Sequence, residues 1–354
     1  MFQLSFIYAV FQESTDKLKT LAHEHVLIDN STAWKGLPKE LSKRSQYKQK
    51  VTLENRSDVL YYSFDYLDNL LLDDVNNSIE NIKEFIGYGG KSIIDLTLHD
   101  IGRDPDAIRY ISIMTGANII MGSGRFVEKS IPDDRKKSTV EDIAKEILSD
   151  FNNGVGENKI KPGIIGEIGI SNINSEIEIN SLRGAAMALK KIGCGLNVHV
   201  PFFEKLNHKI LDILEEEKVD LNKVVLSHCD ATCDDWEYHD SLAKRGATLE
   251  YDEFGTESYT DYRCFLPGAK SDKAVFLPYD GERINAIKKQ IELGNIDKIV
   301  ISGDMCFKIL YTKWGGPGYS HILKNIFPRM KNSGITDEQI FIMTVENPKK
   351  LLQY

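Results

Sequence analysis

Short apolar runs alternate with longer amphipathic stretches along almost the whole chain. The runs at 18–27 (LKTLAHEHVL), 92–96 (SIIDL), 118–122 (NIIMG), 163–169 (GIIGEIG), 195–199 (GLNVH), 223–228 (KVVLSH), 247–252 (ATLEYD) and 298–304 (KIVISGD) read as strands. They are apolar on both faces, as strands of a sheet covered by helices must be. Between them the apolar spacing changes to about 3.6 residues, the helical period. It predicts a long helical region near 56–87, carried by Val59, Leu60, Phe64, Leu67 and Leu71 and ended by Gly89 and Gly90. It predicts further helices near 104–115, 139–151, 178–192, 206–217, 234–245 and 282–293, and more from about 319 onward. Repeated βα units of this number predict one domain over 1–354, folded as a single (β/α)8 TIM barrel. An open doubly wound sheet would not bring the first strand beside the last. A long loop at 253–280 and a polar insertion at 30–55 interrupt the repeat. The charge of the insertion and its few large apolar groups predict an exposed loop, whether lid, oligomer contact or neither.

Composition narrows the class. The chain has 354 residues, 42% of them apolar, which is enough for a sizeable core. Its net charge of −9 disfavours a nucleic-acid binder, which needs a basic field to displace counterions. An anionic substrate stays open, because a local basic pocket can sit on an acidic protein. The start, MFQLSFIYAVFQ, lacks a basic head and is too short to span a bilayer, and no other run suffices, so no membrane partner is expected. Five cysteines are an odd number, and Cys229 and Cys233 are too far apart for a CxxC motif. A reduced, cytoplasmic enzyme is the plain reading.

The candidate chemistry lies at strand ends. Side chains alternate along a strand, so His23 and His25 aim one way and Glu24 the other. Glu167, His199, His228 and Asp304 each stand at or near the end of a later run. Barrel enzymes build their sites at the C-terminal ends of the strands. Any one of these residues alone reads as a satisfied core or rim group. Imidazoles and carboxylates gathered at one end need compensation, which metal ions supply. His208, His239 and His321 sit in helical stretches and are expected to be exposed. His99 either lines the pocket or packs at the rim, and the direction of Tyr251 is open.

The segments His23-Glu24-His25, LTLHDIGRD (96–104), GEIG (166–169), NVH (197–199), LSHCDAT (226–232), YDEFG (251–255), DGER (280–283) and SGD (302–304) occur in an order that resembles the phosphotriesterase-like metal hydrolases of the amidohydrolase superfamily. The resemblance covers nearly the whole chain. It implies that His23, His25 and Asp304 hold one metal, that His199 and His228 hold a second, and that Glu167 bridges them. Many such proteins carry a carboxylated lysine at the bridge. Here Glu167 brings its own carboxylate on a shorter stem, and Lys161 lies at the wrong end of its strand. Two divalent ions are implied, with zinc the default for imidazole and carboxylate ligands. Attack would come from a hydroxide between them, with Asp304 as proton shuttle.

GEIG, SGDM (302–305) and GGPGY (315–319) look most like the branch that opens phosphorylated sugar lactones. That implies a small anionic substrate, a sugar 1,4-lactone whose phosphate meets Lys273, Lys308 and Arg283. Arg263 and Lys270 are further cations of the same region, and Arg283 could instead form a structural salt bridge with Asp280. The alternative is a phosphotriesterase or esterase of the same scaffold. A barrel that binds metal without catalysis would have no use for Asp304. Such proteins are often dimers, which allows a homodimer here, but no stripe of the sequence marks an interface.

Overall fold

The structure is a computed structural model describing residues 19–202, 204–257 and 277–353. Eight parallel strands follow one another in chain order around the sheet. They are β1 (Lys19–Glu24), β2 (Gly90–Asp95), β3 (Asn118–Ser123), β4 (Ile164–Gly169), β5 (Leu196–His199), β6 (Val224–Leu226), β7 (Thr248–Tyr251) and β8 (Ile299–Ile301). The crossover helices are α1 (Val75–Gly87), α2 (Pro105–Thr115), α3 (Val140–Asn153), α4 (Glu176–Ile192), α5 (Asn207–Glu216), α6 (Trp236–Lys244) and α7 (Asp280–Glu292). This is the expected (β/α)8 barrel.

Helix starts follow local chemistry. Asp74 accepts from the backbone N–H groups of Asn76 and Asn77 at the head of α1, and Asp104 caps α2 just before Pro105. Thr139 and Asp142 form a capping box on α3, and Ser175 caps α4. Each supplies a partner to N–H groups that a helix start leaves unpaired.

β1 and β8 are joined at their tips by side chain as well as backbone. The Glu24 carboxylate accepts from Ser302 Oγ at 2.7 Å and from the N–H groups of Gly303 and Met305 at 2.9 Å. Asp304 N lies 3.3 Å from the His23 carbonyl oxygen. Glu24 thus points away from its two histidine neighbours, as strand alternation requires, and fixes the turn that carries Asp304.

Two expectations need correction. The region 56–87 is not one helix. It holds a short helix Arg56–Tyr61, a 3-10 turn Leu67–Leu70, a two-residue strand Leu71–Leu72 paired antiparallel with Ile28–Asp29, and only then α1. Asp74 starts a new helix there, while Asp68 and Asn69 spend their side chains on partners distant in sequence. Asp68 accepts from Lys50 Nζ at 2.7 Å and Val51 N at 2.8 Å, and Asn69 accepts from Ile309 N at 3.1 Å. Nor is 30–55 a bare exposed loop. Tyr47 and Val51 bury themselves with Val59, Tyr66 and Ile309 in a small separate core. Its members come from distant parts of the chain, so no period announces them.

His239 is also corrected. It is fully buried, with Nδ1 2.8 Å from Tyr251 Oη and Nε2 3.0 Å from Thr232 Oγ1. Tyr251 therefore faces the helix layer rather than the barrel interior. His208 and His321 are half-buried, on Ser241 and Asp280 respectively. Burial pushes the His239 imidazole down to about 4. The unfolded chain therefore binds a proton at acid pH that the folded chain refuses. The resulting loss of stability begins near pH 6.5 and is complete near pH 4, amounting to about 3 kcal/mol. Urea unfolding across that range should show a shallower acid decline in His239→Gln than in the parent. Identical slopes would remove His239 from the acid response. Among the described residues, no helix is long and apolar enough to cross a membrane.

Candidate metal centre

The six strand-tip residues converge. His23 and His25 leave β1 toward the barrel axis. Thr97 Oγ1 lies 2.9 Å from His25 Nδ1, and Asp252 Oδ2 lies 2.9 Å from His23 Nδ1. These contacts occupy the Nδ1 atoms and leave both Nε2 atoms facing the centre. Glu167 reaches in from β4. Gly166, just before it, has φ +113°, and a Cβ there would lie 2.3 Å from the Asn197 carbonyl oxygen. Only glycine fits, which explains the GEIG spelling. His228 and Asp304 have left-handed backbones, with φ of 56° and 42°. Such conformations cost about 1–3 kcal/mol and concentrate at functional sites.

His199 Nδ1 lies 2.8 Å from Glu167 Oε1, and His228 Nε2 lies 3.0 Å from the same oxygen. The two imidazole nitrogens are 2.9 Å apart. On the other side His23 Nε2 stands 3.6 Å from Glu167 Oε2 and 3.8 Å from Asp304 Oδ1, and His25 Nε2 is 3.2 Å from Asp304 Oδ1. Donor atoms of His23, His25 and Glu167 all lie within 4.8 Å of one another, as do those of Glu167, His199 and His228. Glu167 belongs to both groups.

This donor set fits divalent cations. His23 Nε2 and Asp304 Oδ1 are buried without a hydrogen-bond partner, a costly state for polar atoms that a cation relieves. Two imidazole nitrogens crowd one carboxylate oxygen on the opposite side, where protons alone cannot satisfy every lone pair. Imidazole with carboxylate, and no thiolate, suits the first-row divalent ions.

Burial penalises charge on His23 and His228, yet Glu167 and Asp252 raise both imidazoles well above their ordinary value. Burial likewise opposes the charge on Glu167, but His23 and His199 hold it well below the carboxylate range. Asp304 is lowered against burial by His25, His23 and His228. Imidazoles and carboxylates thus hold one another in their charged forms, and a cation can take the place of the imidazole protons.

Sequence reasoning missed the supporting carboxylates. Asp252 reaches His23 Nδ1 with one oxygen and His228 Nδ1, at 3.1 Å, with the other. Glu250 lies 3.2 Å from His23 Nδ1. Asp230 accepts from Asp252 N at 2.8 Å, and Arg283 Nε donates to Asp230 at 2.8 Å. The signal was the polar pair Glu250 and Asp252, two apart at the end of an apolar strand. Glu253 also lies against the centre, 3.7 Å from His228 Nδ1.

Two of the expected substrate cations, Arg283 and Lys308, do not line the pocket. Arg283 is fully buried and spends its guanidinium on Asp230, Asp280 and the Thr256 carbonyl. It is the structural salt bridge. Lys308 is buried with Nζ 3.0 Å from Asp68 and 3.4 Å from Asp73. Both charged groups are spent on buried or nearby carboxylates. Lys273, with Arg263 and Lys270, lies outside the described residues. His99 is a rim residue, exposed and 2.9 Å from Arg135 Nη1.

Above the centre opens a cavity of about 950 Å³. Phe202 stacks on His228 at 4.6 Å and Phe126 packs edge-on against His199 at 4.9 Å. Trp34, Phe64, Lys35, Arg56 and Lys129 line the cavity as well.

Comparison with known proteins gives a consistent result. The sequence pattern of the Phosphotriesterase family matches residues 9–352. An N-acetyltaurine hydrolase from Xenopus tropicalis is 34% identical over 337 residues, covering 95% of this chain and 94% of its own length. The crystal structure of a resiniferatoxin-binding protein from Rhodobacter sphaeroides superposes with a TM-score of 0.89 at 34% identity, covering 96% of this chain and 92% of that one. A lactonase from Listeria monocytogenes shares the fold, with a TM-score of 0.72 at 22% identity over 96% of each chain.

Proposed function

The chain belongs to the phosphotriesterase family, and within it we propose a binuclear metal-dependent hydrolase that cleaves a small carboxylic amide bearing an anionic group. The observation that carries this reading is the pair of ligand sets sharing Glu167. His23, His25 and Asp304 would hold one ion, His199 and His228 the other, and Glu167 both. Zinc suits these ligands. The amide is favoured because the Xenopus relative named N-acetyltaurine hydrolase is 34% identical over nearly the full chain. Lys35, Arg56 and Lys129 along the pocket wall suit a sulfonate, in place of the buried Lys308 and Arg283. A phosphorylated sugar lactone is the second reading, since the same cations would serve a phosphate.

Bound ions supply a polarised acyl oxygen and a water whose pKa falls to about 7. The chain supplies the rest. Asp304 takes the proton of the attacking water and returns it to the leaving nitrogen. Asp252 and Thr97 hold the histidine rings in the orientation that presents Nε2, as partners of ligating histidines do. Phe126 and Phe202 cover the rings and keep bulk water from the reacting atoms.

The test is a substrate panel on zinc-loaded and manganese-loaded protein: N-acetyltaurine, its uncharged N-ethylacetamide analogue, five-membered lactones with and without phosphate, and paraoxon. N-acetyltaurine should lead, well ahead of its uncharged analogue. A phosphorylated lactone in first place selects the second reading. Turnover of paraoxon alone would contradict both.

A further inference from the structure

Residues 35–56 carry seven cations (Lys35, Lys39, Lys43, Arg44, Lys48, Lys50 and Arg56) against two carboxylates, Glu40 and Glu54, in a chain whose net charge is −9. The segment begins and ends in the pocket wall, at Lys35 and Arg56. Its middle is pinned beside the cavity. Tyr47 and Val51 pack on Ile309, which also lines the pocket, and Asp68 holds Val51 N. Lys39, Arg44 and Lys48 are exposed. None of the three forms an ion pair among the described residues, and Arg44 donates only to the Pro38 carbonyl. A run of cations is ordinarily a solvated face. Here it lies on a segment whose two ends line a cleft on a chain of net charge −9, where low-dielectric walls focus the field.

We infer that Lys39, Arg44 and Lys48 form an electrostatic collar that draws anionic substrates to the pocket and selects them over neutral ones. The collar rests on the reading of an anionic acyl substrate. It acts before any contact with the metal ligands, by raising the local concentration and association rate of anions. Charge steering of this kind is worth about 10–10³-fold in rate and fades as salt screens it. The collar should therefore influence kcat/KM for charged substrates and leave kcat alone.

The experiment uses the metal-loaded full chain and the triple variant Lys39→Gln/Arg44→Gln/Lys48→Gln. For N-acetyltaurine, kcat/KM of the parent should fall steeply between low and high salt. The variant should start about tenfold lower and show little salt dependence. Neither the kcat of either protein nor the turnover of uncharged N-ethylacetamide should change. A second readout needs no turnover: quenching of Trp34, half-exposed in the pocket wall, by iodide and by neutral acrylamide. The Trp34→Phe protein isolates its share of the signal. The triple variant should lose iodide quenching several-fold and keep acrylamide quenching. Salt-independent kcat/KM, with iodide quenching equal in parent and variant, overturns the collar even if N-acetyltaurine is a good substrate. If no anionic compound is hydrolysed but iodide quenching falls in the variant, the collar stands and the substrate reading fails.

Discussion

Asp304→Asn is expected to lower kcat by about 10²–10⁴-fold, the usual share of a positioned acid–base group. Asparagine has the same shape and tolerates the left-handed backbone that Asp304 adopts at φ 42°. The turn should therefore survive, held by the three hydrogen bonds that Glu24 accepts from it. What asparagine lacks is a charge that can take a proton. It would also weaken the metal contact proposed for Asp304, so metal content must be measured beside activity. A variant that holds its metal and stays within threefold of parental kcat would strip Asp304 of the proton-transfer role.

Arg283→Met is expected to destabilise the protein by about 3–5 kcal/mol, the cost of removing one partner from a buried ion pair. Arg283 is fully buried, and Asp230 and Asp280, 2.8 and 3.0 Å from its nitrogens, are buried with it. Burial already raises the Asp230 carboxyl to about 7 even with the Arg283 charge beside it. Losing that charge pushes it further up. The damage should also reach the metal centre, because Asp230 holds the backbone of Asp252, and Asp252 orients His23 and His228. Loss of such supporting contacts lowers metal affinity about 10–100-fold. Urea unfolding and metal titration measure the two effects. A shift under 1 kcal/mol would mean that the salt bridge is replaceable.

The barrel and its six strand-tip residues were legible because both obey local rules. An apolar run that ends in a histidine or carboxylate states its strand, its end and its polarity at once, and alternation separates Glu24 from His23 and His25. What stayed hidden depends on distant partners. Lys308 meets Asp68 across 240 residues, and Arg283 meets Asp230 across 53. A cation seen alone in a sequence does not declare whether a buried carboxylate awaits it. The small core of Tyr47, Val51, Val59, Tyr66 and Ile309 assembles from turns without a period. His239 was readable in part, since it shares a helical face with Leu242 and Ala243, both buried.

The proposed chemistry rests on two cations sharing the Glu167 carboxylate, and counting them is the most direct check. Protein produced with ample zinc should hold two equivalents per chain, and Glu167→Gln should hold one or none, with activity lost in proportion. Two firmly bound equivalents and undiminished turnover in that variant would contradict the shared-carboxylate centre.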